Sequence, residues 1–179
     1  MLDELEAQAR SMYDAGEYTH ALAEFSVLRE VRARREGPYS VKYLSALHES
    51  VRCMRHLGLW RDTDYLCTEL HAKYVRTHGR GEAATVDVAK HWAWALLHLD
   101  AVDPAVRLYV TTADALWPLD EPAARRLLGA AAVHSGDPLD GVTLTHTTEL
   151  AHALADLDGL VKNETGASPS IDFDGLAPV

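Results

Sequence analysis

Small and apolar residues in the first part of the chain fall at helical spacing. Ala9 and Tyr13, then Ala21, Phe25 and Leu28, each make one face of a period near 3.6. Gly16 and Tyr18 lie between the two runs. The pattern predicts a hairpin of helices over Leu2–Ala15 and Thr19–Arg35, with Gly16 taking the open backbone angles of a helix end. Ala21 is small where the helices would cross, and Tyr13, Tyr18 and Phe25 are wedges for the space between them.

The hairpin then returns. Gly16 is followed 42 positions later by Gly58 and after another 42 by Asp100. In the same register Tyr18 maps onto Trp60 and Val102, Ala21 onto Thr63 and Ala105, and Phe25 onto Cys67 and Tyr109. Gly37-Pro38 maps onto Gly79-Arg80. Self-similarity at such a period is the mark of a solenoid, in which each unit covers the apolar surface its neighbour leaves open.

The remaining elements follow from caps and breakers. Ser40 is an N-cap for a third helix that runs to about Leu57, and Trp60 to Thr77 makes a fourth. His78-Gly79-Arg80-Gly81 reads as a flexible break. A fifth helix is expected over Glu82–Leu99. Asp103-Pro104 reads as the start of a sixth, which reaches about Trp117. Asp120 or Glu121 caps a seventh over Pro122–His134, and Asp137-Pro138 reads as the start of an eighth that ends near Val161. The expectation is an all-α solenoid of about four antiparallel helix pairs over residues 1–161. Residues 162–179 form an acidic, largely irregular tail in which Ile171, Phe173 and Leu176 are apolar anchors.

Composition narrows the function classes. The formal net charge is −10, against a general nucleic-acid binder. No apolar run of spanning length occurs, and the acidic start, Met1-Leu2-Asp3-Glu4, lacks a leader pattern. Cys53 and Cys67 are read as buried thiols rather than a disulfide framework, and the protein as cytoplasmic. Charge is uneven along the chain: a basic stretch from Arg29 to Arg61 holds Arg32, Arg34, Arg35, Lys42, Arg52 and Arg55. Arg32, Arg34 and Arg35 suit the negative end of a helix dipole.

The residues that carry the hairpin, Ala9, Tyr13, Gly16, Tyr18, Ala21 and Phe25, return as Gly58 and Trp60, then as Ala93, Ala105 and Tyr109, and last as Gly129 and Gly136. The chain resembles the tetratricopeptide repeat (TPR) family from residue 2 to about 160. Its 42-residue period is similar to the kinesin-light-chain subtype found in bacterial proteins. The resemblance implies a right-handed superhelix with a concave face lined by the first helix of each pair, and partner binding, usually of a peptide. Thr63 and Cys67 depart from the alanine and aromatic usual in the family.

Family pattern and helical geometry together select the residues of that face. They are Glu6, Arg10, Tyr13 and Asp14; Ser45, His48, Arg52, Arg55 and His56; Asp87, Lys90, Trp94, Leu97 and His98; and Arg126, Ala130, Val133 and His134. Arg10, Arg52, Arg55, Lys90 and Arg126 form a cationic lining that suits an acidic peptide or a C-terminus, with Tyr13 and Trp94 as flat anchors and His48 beside them. The asparagines of a family carboxylate clamp are missing. The chain's own segment 171–179 is one candidate ligand, and pairing of two copies through helix eight or the tail is another use of the surface. Asp14, His56, His98 and His134 fall beside successive turns and make an alternative metal-ligand set, for a small metal-dependent enzyme or metal-binding protein. No other cofactor is expected. Catalytic signatures such as GxSxG, CxxC and HExxH are absent.

Overall fold

The computed structural model of the protein describes residues 1–163. Every regular element among them is an α-helix: α1 (Leu2–Asp14), α2 (Tyr18–Glu36), α3 (Val41–His56), α4 (Trp60–Thr77), α5 (Ala83–His98), α6 (Val102–Leu116), α7 (Glu121–His134) and α8 (Thr147–Asn163). They fall into two compact units. Met1–Thr77 holds α1 to α4, and His78 onward holds α5 to α8. From residue 164 on, the expected tail and its ligand segment lie outside the described residues.

The 42-residue period is written in the backbone. Gly16, Gly58 and Asp100 all take a left-handed conformation, with φ of 78°, 67° and 58°. Each turn closes with the same pair of hydrogen bonds. Gly16, Gly58 and Asp100 donate N–H to the carbonyls of Tyr13, Arg55 and Leu97, at 2.9, 3.2 and 3.2 Å. Glu17, Leu59 and Ala101 reach back five residues to Met12, Met54 and Leu96, at 2.8, 3.0 and 2.9 Å. This double bond satisfies the orphan carbonyls of a helix end and needs a residue that tolerates positive φ. Glycine does so freely; Asp100 is the third repeat's substitute.

In the first unit the helices cross at small residues. Ala9 and Ala21 are both fully buried, and Phe25 and Leu28 fill the space beside them, with Ala46 and Cys53 of α3 in the same cluster. Burying a side chain the size of Phe25 contributes about 2–3 kcal/mol. The two departures from the repeat are accommodated on α4, where Thr63 and Cys67 are both fully buried. The Thr63 hydroxyl donates to the Leu59 carbonyl at 2.9 Å, so no polar atom is stranded there.

Arg32, which the sequence places toward the negative end of the α2 dipole, is buried there. Its side chain is 1% exposed. Nη2 donates to Glu6 Oε2 at 2.5 Å, and Nη1 to the Lys42 carbonyl at 3.1 Å. Lys42 in turn donates to Asp3 at 3.1 Å. One buried guanidinium thus ties α1, α2 and the start of α3. Beyond it, Lys73 of α4 bonds Glu69 and sits over the rings of Tyr39 and Tyr43, 5.2 and 4.8 Å from their centroids.

The second unit repeats the scheme with equivalent residues. Ala93, Ala105 and Tyr109 stand where Ala9, Ala21 and Phe25 stand in the first, and all three are buried. The alanine-rich α7 approaches closely through Ala124, Leu127, Leu128 and Ala131, and α8 adds Leu150 and Ala153. Gly81 is not a slack link: a Cβ there would lie 2.7 Å from Leu119 Cδ1 and 2.9 Å from the Ala115 carbonyl oxygen.

The two Asp-Pro pairs do not start the helices expected of them: α6 begins at Val102 and α8 at Thr147. Helix α6 begins at Val102 with Ala101 as its N-cap, so Pro104 falls inside the first turn, where its missing N–H still costs nothing. Asp137-Pro138 opens a turn instead of a helix. The Asp137 carboxylate accepts the Leu139 N–H at 3.2 Å, and Gly141 then takes a φ of 68°. Helix α8 starts only at Thr147. Its entry is held by Asp114 of α6, whose carboxylate accepts the N–H groups of Thr145 at 3.0 Å and His146 at 2.7 Å.

Candidate functional site

In the first unit, residues of α1 and α3 converge. Arg10, Tyr13, Asp14, Glu49 and Arg52 line an open cavity of about 170 Å³. Three of these, Arg10, Tyr13 and Arg52, belong to the peptide-facing set read from the sequence. Tyr13 and Arg10 are three apart on α1, and Glu49 and Arg52 three apart on α3, so each pair shares a face of its helix. Arg10 is exposed and donates to Glu6 at 2.9 Å. Arg52 lies 3.8 Å from Glu49. The cavity therefore presents two guanidiniums, two carboxylates and a phenol.

Tyr13 is held from behind by two rings. Its hydroxyl is 3.0 Å from His56 Nε2. The His56 ring stacks on Tyr18, with centroids 4.0 Å apart and planes 2° apart, and Tyr13 meets Tyr18 edge-on at 5.3 Å. Burial raises the Tyr13 hydroxyl above the usual phenol range, partly offset by Arg52. Burial and the neighbouring Arg55 charge hold His56 below the usual imidazole range. Arg55 is half-buried on the same turn as His56.

His48 is elsewhere. It is 9% exposed, and its Nδ1 lies 3.3 Å from the Tyr74 hydroxyl inside the α3–α4 packing. A buried imidazole beside a tyrosine is a core residue and offers no surface to a ligand, so its place in the peptide-facing set is corrected.

In the second unit, burial holds Lys90 below the usual ammonium range; Asp87 opposes that shift and Arg126 adds to it. Asp87 also lies 3.3 Å from His91 Nε2. Lys90 and Asp87 border a cavity of about 340 Å³ walled by Val86, Leu116 and Leu119. Trp94 packs on His98 at 5.0 Å, and Arg126 is exposed. Ala130 belongs to the core at 2% exposure and is not part of any face.

Two members of the histidine row have local partners. His56 Nε2 faces the Tyr13 hydroxyl, and His98 Nδ1 lies 2.9 Å from the Trp94 carbonyl of its own helix. Asp14 and His134 are exposed.

The sequence reading does not place Tyr18 or Glu49 in the site, nor does it pair Arg32 with Glu6. Tyr18 was legible as the repeat partner of Trp60, and Glu49 from its three-residue spacing to Arg52. Nothing local marks Arg32 as buried, because Glu6 lies 26 positions away.

No family model matches the sequence. No curated protein matches it. Solved structures do. The nearly identical TPR-like repeats ascribed to a Podosopora anserina kinesin light chain superpose with a TM-score of 0.66 at 14% identity, over 97% of this chain and 81% of that one. A single-residue variant of the same protein gives 0.67 at 14%, with the same coverage. BtubC (BKLC) from P. vanneervenii gives 0.68 at 14%, over 94% of this chain and 66% of that one. The fold is thus an all-α helical-repeat solenoid. Within that class it is TPR-like, of the kind seen in those kinesin-light-chain repeats. Among the described residues no helix is long and apolar enough to cross a membrane.

Proposed function

We propose that the protein is a non-enzymatic binding module, and that the first unit captures an acidic peptide segment at the Arg10–Tyr13–Arg52 cavity. The observation that carries this reading is the convergence of two arginines and a tyrosine from two helices on one open cavity. Guanidinium groups hold carboxylates by paired hydrogen bonds, and an aromatic beside them supplies contact area. TPR-like architecture supports the same reading by analogy of fold alone. Lys90, Trp94 and Arg126 offer a comparable basic and aromatic set in the second unit. The chain's own segment 171–179 has the matching composition, acidic with Phe173 as an anchor.

The test is a binding titration with a labelled Asp-Asp-Phe-Asp-Asp peptide at low ionic strength. Reversing charge with Arg10→Glu and Arg52→Glu should weaken binding at least about tenfold, since two lost charge-assisted contacts are each worth over 1 kcal/mol. Helical content by circular dichroism should be unchanged. Binding that survives the double change would remove this cavity as the site.

A further inference from the structure

The cavity as built is electrically balanced. Arg10 and Arg52 face Asp14 and Glu49, and Arg10 is also bonded to Glu6. A ligand carboxylate entering it must share guanidiniums already engaged by the chain's own carboxylates, with no further positive charge beside them. Directly behind Tyr13, however, stands a group that can acquire one. His56 Nε2 is 3.0 Å from the Tyr13 hydroxyl, and the ring is fixed by its stack on Tyr18.

The Tyr13–His56 hydrogen bond has two directions. With the ring neutral and its proton on Nδ1, Nε2 accepts the Tyr13 O–H, and the phenol oxygen shows lone pairs to the cavity. With the ring cationic, both nitrogens carry protons, the Nε2–H donates to the Tyr13 oxygen, and the Tyr13 O–H is released to donate elsewhere. Protonation therefore does two things at once. It turns Tyr13 from an acceptor into a donor toward the cavity, and it places a positive charge one residue behind.

We infer that a carboxylate binds at Tyr13 together with one proton, taken from solvent by His56. This deepens the binding reading above and rests on it. The groups in contact with His56 are the hydroxyl of Tyr13 on α1 and the ring of Tyr18 on α2, and the Arg55 charge on its own helix acts on it. Among the described residues Arg55 is the charge that acts on it. Partial burial and that charge favour the neutral form of the free ring. A bound carboxylate raises its proton affinity, so the sign is fixed: affinity for the acid ligand rises as pH falls toward 6 and below.

The experiment measures affinity for the same labelled Asp-Asp-Phe-Asp-Asp peptide from pH 8 to pH 5.5, a window in which its own carboxylates stay ionised. The intact protein is compared with His56→Phe, which keeps a ring on Tyr18, and with His56→Gln, which keeps a polar atom toward Tyr13. The intact protein should gain affinity about tenfold for each unit by which the ligand raises the His56 proton affinity. Calorimetry in buffers of different ionisation heat should show proton uptake, and the His56 imidazole resonance should titrate at higher pH with peptide than without. Both variants should bind with a flat pH profile. A flat profile for the intact protein, or a slope that persists in either variant, overturns the linkage and leaves the binding reading standing. Absence of binding at every pH overturns the binding reading itself, and the linkage with it.

Discussion

Asp100 carries a cost that Gly16 and Gly58 do not. It holds a φ of 58° in a turn whose hydrogen bonds match theirs. A side chain in this region is strained, while glycine loses more entropy on folding; the first effect is the larger where the turn is over-determined. Asp100→Gly should therefore raise stability by about 0.5–1 kcal/mol, read as a higher urea midpoint with an unchanged slope. Asp100→Val should lower it. Glu6 makes the opposite case. Burial raises its proton affinity, but the hydrogen bonds from Arg32 and Arg10 outweigh that and hold it below its ordinary value of 4.5. Its contribution is complete above about pH 4.5 and is lost as pH falls through the depressed folded value. Glu6→Gln should cost about 1–3 kcal/mol near neutrality, less than a fully buried orphan charge because Asp3 lies 3.9 Å from the Arg32 guanidinium. That gap should close on acid titration, followed by chemical denaturation at each pH.

At the scale of elements, the loop from Ser135 to His146 separates two helices that a strict repeat would join by a tight turn. Asp114 substitutes for the missing turn by accepting the two N–H groups that lead into α8. Asp114→Ala should speed hydrogen exchange across residues 145–155 and lower stability by about 1–3 kcal/mol, while α1 to α4 keep their protection. The same loop marks where the sequence stopped being readable. Helices α1 to α5 and α7 stand within a residue or two of their expected bounds, because glycine, serine and aspartate caps act locally. The start of α8 was misplaced because Asp137 spends its carboxylate on a turn, and the true anchor, Asp114, lies 31 positions before Thr145. In the site, spacing along each helix placed Arg10, Tyr13 and Arg52 together. Spacing could not reveal that His48 faces Tyr74, since neighbouring stripes on one helix differ by a single residue step.

For the molecule as a whole, each unit carries its own buried cluster, and both cysteines belong to the first. Cys53 and Cys67 are fully shielded, and burial pushes the Cys53 thiol up to about 12. An alkylating reagent reacts with the thiolate, so neither sulfur is available until the helices around it part. Labelling by iodoacetamide should be slow in the native protein and should accelerate with Phe25→Ala, which opens the first cluster at a cost of about 3–5 kcal/mol. The second unit has no sulfhydryl to answer. Uptake of label, followed by mass spectrometry, thus works as a clock for the breathing of Met1–Thr77 alone, installed by the protein itself and needing no probe to be engineered.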